Sequence, residues 1–182
     1  MKVTPFTIPD VILFEPEAYE DQRGYFFESF NQRIFENATG QSPKFVQDNH
    51  SSSQKNVLRG IHYQLPPKAQ GKLVRVTHGE VFDVAIDIRK NSQTFGKWVG
   101  KTLSAKNRLQ MWIPEGFAHA FLTISDIAEV QYKTTNYYAP ELERCIVWDD
   151  PTINIQWPFD NSPNLSTKDQ VGFTLQQAEV FR

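Results

Sequence analysis

A chain of 182 residues suits a single domain with its own core, and a formal charge of −2 gives no basic field for nucleic acid or an anionic membrane. The lone cysteine, Cys145, cannot close an intrachain disulfide, so a reducing compartment and a cytoplasmic location are expected. The N-terminal apolar run at 11–14 is far shorter than a signal-peptide core or the ~20 residues of a membrane span, so a soluble, unprocessed chain is expected.

Strand-like runs broken by turn residues dominate, with no internal repeat. The first predicted strand, 26–30, is rich in aromatic residues and sits beside Arg23 and Glu28. A helix of two turns is predicted over 31–37, ending near Gly40, and strands follow at 45–49 and 58–64. The run 72–77 is strand-like. In 79–89, Phe82, Val84, Ile86 and Ile88 alternate with Asp83, Ala85 and Asp87, a period of two that predicts a strand with one buried face. His78-Gly79 between these runs predicts a hairpin, because glycine tolerates positive φ. Further strands are predicted at 98–103, 109–113, 120–123, 129–135 and 145–148. Many short antiparallel strands with few short helices make the fold class mainly β, a sandwich or barrel. From about residue 157, Trp157-Pro158-Phe159 and then Asn161-Ser162-Pro163 predict an irregular arm whose aromatic residues seek burial. The tail from Ser166 holds two short helical candidates. Ser166 followed three residues later by Asp169 resembles a capping box, with aspartate where glutamate or glutamine is usual.

The four histidines are His50, His62, His78 and His119. A β-barrel carrying histidines raises the possibility of a metal-dependent oxygenase. Spacing opposes it: there is no His-x-His or His-x-x-x-His pair, and Gln64 stands where a second ligand after His62 would be needed. One thiol cannot supply a cysteine site either. No catalytic metal is expected.

Seven motifs occur in one order: DQRGYFFE at 21–28, FVQDNHS at 45–51, LRGIHYQ at 58–64, QGKLVRV at 70–76, IPEGFAHAF at 113–121, VQYK at 130–133 and LSTKD at 165–169. Together they resemble the nucleotide-sugar 3,5-epimerase family. The resemblance implies a metal-free, cofactor-free jelly roll of the cupin type, in agreement with the strand count and the missing ligand spacing. It implies epimerisation at C3 and C5 of dTDP-4-dehydro-6-deoxy-D-glucose to dTDP-4-dehydro-L-rhamnose. Inversion beside a ketone needs a base, a partner for the enolate oxygen and an acid on the other face.

By resemblance His62 is the base and Asp169 fixes its tautomer, while Tyr132 is the acid and Lys72 the cation beside the C4 oxygen, with His119 near the same carbonyl. Arg23 and Arg59 match diphosphate contacts, Gln47, Asn49, Glu28 and Glu143 match polar substrate contacts, and Tyr138 matches the residue that stacks on thymine. Lys168 falls in the last motif beside Asp169 and is counted with the substrate contacts. Read alone, Asp169 is a helix cap, Tyr132 a core tyrosine, Lys72 an exposed strand-edge lysine, and the other polar residues solvated surface groups. Arg59 and His62, three positions apart, face opposite sides of a flat strand, so a bulge or twist near Gly60 is required if both line one pocket.

The resemblance further implies a homodimer in which the strand segment holding Arg23 and Glu28 crosses to the neighbouring pocket. The alternatives are a single-centre epimerase or ketoisomerase of the same fold, and a non-catalytic sugar-binding cupin module.

Overall fold

The computed structural model describes residues 1–159 and 162–182. Asn161, part of the predicted arm, lies outside them. The strands are β1 (Lys2–Pro5), β2 (Ile12–Glu15), β3 (Ala18–Asp21), β4 (Gly24–Phe27), β5 (Gln47–Gln54), β6 (Leu58–Gln64), β7 (Lys72–His78), β8 (Glu80–Asp87), β9 (Trp98–Ser104), β10 (Gln110–Ile113), β11 (Phe117–Thr123), β12 (Ile127–Thr134) and β13 (Glu143–Cys145). Helix α1 spans Gln32–Thr39 and α2 spans Thr167–Gln170. A six-stranded sheet runs β1-β2-β10-β7-β12-β5, a five-stranded sheet runs β13-β6-β11-β8-β9, and β3 with β4 forms a separate ribbon. This is the mainly β sandwich that the strand pattern predicts, cupin-like as the resemblance implies.

The two large sheets face each other over one apolar layer. Val74 and Val76 of β7, Met111 and Ile113 of β10 and Val130 of β12 meet Val81 and Ala85 of β8, Leu103 of β9 and Phe121 of β11. Helix α1 covers the outer face of the six-stranded sheet, packing Phe35 on Ile12, Phe14, Leu73 and Trp112. Its ends obey local chemistry: the Asn31 side chain accepts the Ile34 N–H at the start, and the Gly40 N–H reaches Glu36 O at the finish. On the far side, Ile153, Ile155, Trp157 and Leu175 of the C-terminal arm pack on Val84, Ile86 and Ile61 of the five-stranded sheet.

That outer layer corrects one expectation. β8 is buried on both faces through most of its length, because the arm covers the Val84/Ile86 face while Asp83 and Ala85 look into the sandwich. The predicted hairpin between 72–77 and 79–89 is also corrected, since β7 pairs with β10 and β12 whereas β8 pairs with β9 and β11. The chain passes from one sheet to the other at Gly79. Its φ is 70°, and a Cβ there would stand 2.0 Å from Ile127 O, so the glycine serves a tight corner between sheets.

Two strand boundaries differ for related reasons. The strand predicted at 26–30 ends at Phe27, because β4 pairs only with β3 and Phe30 turns away onto the α1 layer. The strand predicted at 145–148 is instead β13, ending at Cys145, beyond which the chain turns to the arm: Val147 N donates to Phe173 O and Phe173 N to Cys145 O. Strands β1 to β3 had no predicted counterpart: β1 and β3 are exposed along most of their length, so no apolar alternation marks them. Of the two helical candidates in the tail, one is α2 and the other is a turn held by bonds from Gln177 N and Ala178 N to Thr174 O.

Candidate active site

The site begins with an irregularity in β6. In its pairing with β11, His62 stands opposite His119 and Arg59 opposite Phe121, so three steps on β6 match two on β11. This is the bulge that Arg59 and His62 require. It falls at Gly60, whose φ of 133° excludes most side chains and whose added Cβ would lie 2.4 Å from Ala120 Cβ. Past the bulge, His62 enters the cleft. Arg59 crosses instead to the edge of the other sheet, donating from Nε to Ser53 Oγ at 3.0 Å and from NH2 to Ser52 O at 3.4 Å.

His62 Nε2 lies 2.5 Å from Asp169 Oδ1, although the residues are 107 positions apart. The Asp169 carboxylate is nearly buried. Its other oxygen accepts from Ser166 Oγ at 2.8 Å, and its backbone N–H donates to the same hydroxyl at 3.2 Å. Asp169 is therefore both a capping residue of α2 and the partner of His62. Burial pushes its carboxyl up, but the His62 bond and charge, with Ser166, outweigh burial and hold it below the usual range. A carboxylate accepting at Nε2 puts the ring hydrogen there and leaves Nδ1 with a free lone pair.

The cleft around His62 encloses about 320 Å³, and its walls include Gln47, Asn49, Lys72, Tyr132, Tyr138 and Glu143. Lys72 opens β7, and its Nζ stands 6.0 Å from the centre of the Tyr132 ring. Burial pulls the Lys72 ammonium down to about 8, against the opposing influence of Glu143 and Asp83. Tyr132 is pushed up by burial, which the nearby Arg59 charge only partly offsets, so it is a neutral phenol at neutral pH.

A hydrogen-bonded chain lines the opposite side. Gln47 Nε2 donates to Asn49 Oδ1 at 2.9 Å, and Gln47 Oε1 accepts from Tyr138 N at 3.0 Å. Glu143 Oε2 accepts from the Tyr138 hydroxyl at 2.6 Å and pairs with Lys168 Nζ at 2.5 Å. Burial raises the Glu143 carboxyl, yet bonds from Lys168 and Tyr138 leave it lowered overall; the Glu143 bond in turn pushes Tyr138 up to about 12. His119 is buried beneath, with Nε2 at 2.8 and 3.1 Å from the Asp83 oxygens and its ring centre 6.4 Å from that of Tyr132.

A base with an oriented tautomer, a neutral phenol and a half-buried ammonium thus share one cleft, a set suited to moving protons at a carbon beside a carbonyl. The dTDP-4-dehydrorhamnose 3,5-epimerase family is matched over residues 5–177. The chain belongs to that family. It is 60% identical to the dTDP-4-dehydrorhamnose 3,5-epimerase of Pseudomonas aeruginosa, covering 100% of this chain and 99% of that one. The Legionella pneumophila dTDP-6-deoxy-D-glucose-3,5-epimerase, solved in complex with dTDP-4-keto-L-rhamnose, superposes with a TM-score of 0.96 at 47% identity, over 100% of this chain and 97% of that one. ChmJ, a 3'-monoepimerase of Streptomyces bikiniensis solved with dTDP-quinovose, has a TM-score of 0.89 at 34% identity, over 94% of this chain and 87% of that one. The activity that goes with this family is 3,5-epimerisation of a dTDP-linked 4-keto sugar.

Within the epimerase fold, His62, Lys72, Tyr132, Gln47, Asn49, Tyr138 and Glu143 line one cleft, Asp169 backs His62, Lys168 joins through Glu143, and His119 lies underneath. Arg59 stands near enough for its charge to act on Tyr132. Arg23 and Glu28 do not line this cleft: Arg23 is exposed and paired with its own Asp21, and Glu28 accepts from Asn31.

Several contributors escaped sequence reasoning. Gln64, considered there only as a missing metal ligand, donates to Lys68 O and Tyr137 O and accepts from Ala139 N, fastening the loop that carries Tyr138. Asp83 read as the polar side of an amphipathic strand, yet it faces inward against His119. Among the described residues one group of metal-type donors converges, His62, Cys145 and Asp169, within 4.8 Å of one another. Local spacing could not disclose it, because the fold assembles it from three separate segments.

Proposed function

We propose that this cleft epimerises C3 and C5 of dTDP-4-dehydro-6-deoxy-D-glucose, giving dTDP-4-dehydro-L-rhamnose without a metal. His62 Nδ1 takes the proton from the carbon beside the C4 ketone, and the imidazolium formed is stabilised by Asp169. The enolate oxygen is held by the Lys72 ammonium, with His119 nearby. Tyr132 gives a proton to the opposite face of the carbon, inverting it, and regains one from solvent while the imidazolium releases its own to solvent; the same sequence acts at the second centre.

Arg59 holds the diphosphate, Tyr138 stacks on the thymine, and Gln47, Asn49, Glu143 and Lys168 position the sugar and nucleotide. Arg23 and Glu28 serve the cleft of a second protomer in a homodimer, working in the cytoplasm. The observation that carries this reading is the 2.5 Å bond between His62 and Asp169 in a cleft that also holds Lys72 and Tyr132.

The test is solvent deuterium incorporation after exhaustive chelation. Label at both C3 and C5 is expected. Label at one carbon only favours a single-centre epimerase, a reading supported by the shared fold of the ChmJ monoepimerase. No label at either carbon favours a binding module, and activity that returns only with a divalent ion contradicts metal independence.

A further inference from the structure

Cys145 has no part in this proton chemistry, yet the fold sets it against the proposed base. It is the register partner of His62 in the β13–β6 pair, so both side chains leave the same face of the sheet. Its Sγ lies 4.0 Å from Asp169 Oδ1, the oxygen that also bonds His62 Nε2 at 2.5 Å. The thiol has no strong partner of its own, with Ile146 O at 3.5 Å the nearer acceptor. Nitrogen, sulfur and oxygen donors thus face a common point within 4.8 Å of one another.

We propose that His62 Nε2, Cys145 Sγ and Asp169 Oδ1 form a reversible, inhibitory site for a borderline-soft divalent cation such as Zn²⁺. Three protein donors with water in the fourth position is an arrangement zinc adopts with mixed N, S and O ligands. Zinc bonds of about 2.0–2.3 Å set tetrahedral donors about 3.3–3.5 Å apart. The His62–Asp169 contact therefore opens by about 1 Å while the sulfur closes on Asp169 Oδ1 by about 0.5 Å, movements of side chains and not of strands. The carboxylates of Asp169 and Glu143 favour a dication here, and Lys168 opposes it.

Inhibition follows from the ring chemistry, and this part rests on His62 acting as the base. The ion takes the Nε2 lone pair, so the ring hydrogen moves from Nε2 to Nδ1, and the thiol proton leaves to solvent. Nδ1 then has no lone pair with which to accept a proton from the sugar. The metal replaces the hydrogen shared by His62 and Asp169, so the active enzyme and the metal-bound form exclude one another.

The decisive experiment titrates the metal-free protein with Co²⁺, followed by absorbance, and in parallel with Zn²⁺, followed by epimerisation. In the unaltered protein Co²⁺ is expected to give a thiolate-to-cobalt band and tetrahedral d–d absorption. Zn²⁺ is expected to abolish turnover, with recovery on chelation. Cys145→Ala and Cys145→Ser should retain basal turnover and lose the thiolate band. Their sensitivity to Zn²⁺ should fall by about tenfold or more, since loss of outer-sphere support alone costs metal sites about 10–100-fold. Absence of the thiolate band in the unaltered protein, a result that needs no variant to fold, overturns the site. Unchanged Zn²⁺ inhibition in both folded variants does the same. A thiolate band with turnover intact at saturating metal overturns the inhibitory role, and with it the assignment of His62 as base.

Discussion

Lys72 enters the cleft at the first position of β7, where burial draws its ammonium from the ordinary 10.5 down to about 8. Between these two pH values the unfolded chain binds a proton that the folded chain does not. Stability should therefore rise with pH across that window, and the full penalty applies below about 8. Lys72→Met is expected to remove the penalty, gaining on the order of 1–3 kcal/mol at pH 7 and showing no rise between about 8 and 10.5. The same change should lower kcat by roughly 10²–10³-fold through loss of the enolate's cation. Urea denaturation of both proteins across this pH range checks the first claim; a wild-type curve as flat as that of the variant contradicts it. Nothing local in the sequence marks Lys72 as half-buried and desolvated, and read alone it is a strand-edge lysine. Its environment arises because β7 is an interior strand, between β10 and β12. Tyr132 was legible as a strand residue for the opposite reason, since β12 follows a clear period of two.

At the scale of the element, the bulge in β6 decides which residues can meet. The sequence flags the three-residue offset of Arg59 and His62, and the bulge at Gly60 alters it, sending His62 into the cleft and Arg59 to the β5 edge. Gly60→Ala is expected to destabilise the protein by about 2–4 kcal/mol, from a strained φ together with the collision against Ala120. Activity should fall further than the loss of folded protein explains, because His62 is displaced from Asp169. Parallel chemical denaturation and turnover per folded molecule measure the two effects; a variant within 0.5 kcal/mol, roughly the scatter of neutral surface changes, would contradict the account. Strand identity was largely legible for β6 to β12, where strand-like apolar runs stand between turn residues. The β7–β8 connection was not, because a hairpin and a passage between sheets have the same local signature of a glycine between two strands. What separates them is pairing with β10, β11 and β12, far along the chain.

At the scale of the whole molecule, the layers leave one surface unfinished. The β3–β4 ribbon belongs to neither large sheet, and Tyr19, Tyr25 and Phe26 are 63%, 60% and 73% exposed. Such an aromatic surface beside Arg23 favours a second protomer as its cover. If Arg23 completes the cleft of the neighbour, mixing inactive Arg23→Ala and His62→Ala proteins under subunit exchange yields hybrid dimers with one intact cleft, and measurable activity returns. Hybrids that stay inactive despite verified exchange contradict shared sites. The composition of the ribbon was legible, but not its separation from the body, since an exposed aromatic strand and a core strand share the same residues. The pairing of His62 with Asp169 was beyond local reading altogether: it joins β6 to α2 through the arm that wraps the five-stranded sheet. That pairing is also the centre of the functional account. Its most direct test is His62→Asn, assayed for solvent deuterium exchange at C3 and C5 and for dTDP affinity in the same chelated preparation. Exchange is expected to fall by about 10³-fold or more while dTDP affinity stays within a few-fold, as for a lost base at a site whose nucleotide is held elsewhere. Exchange near the wild-type rate in the folded variant would contradict the assignment.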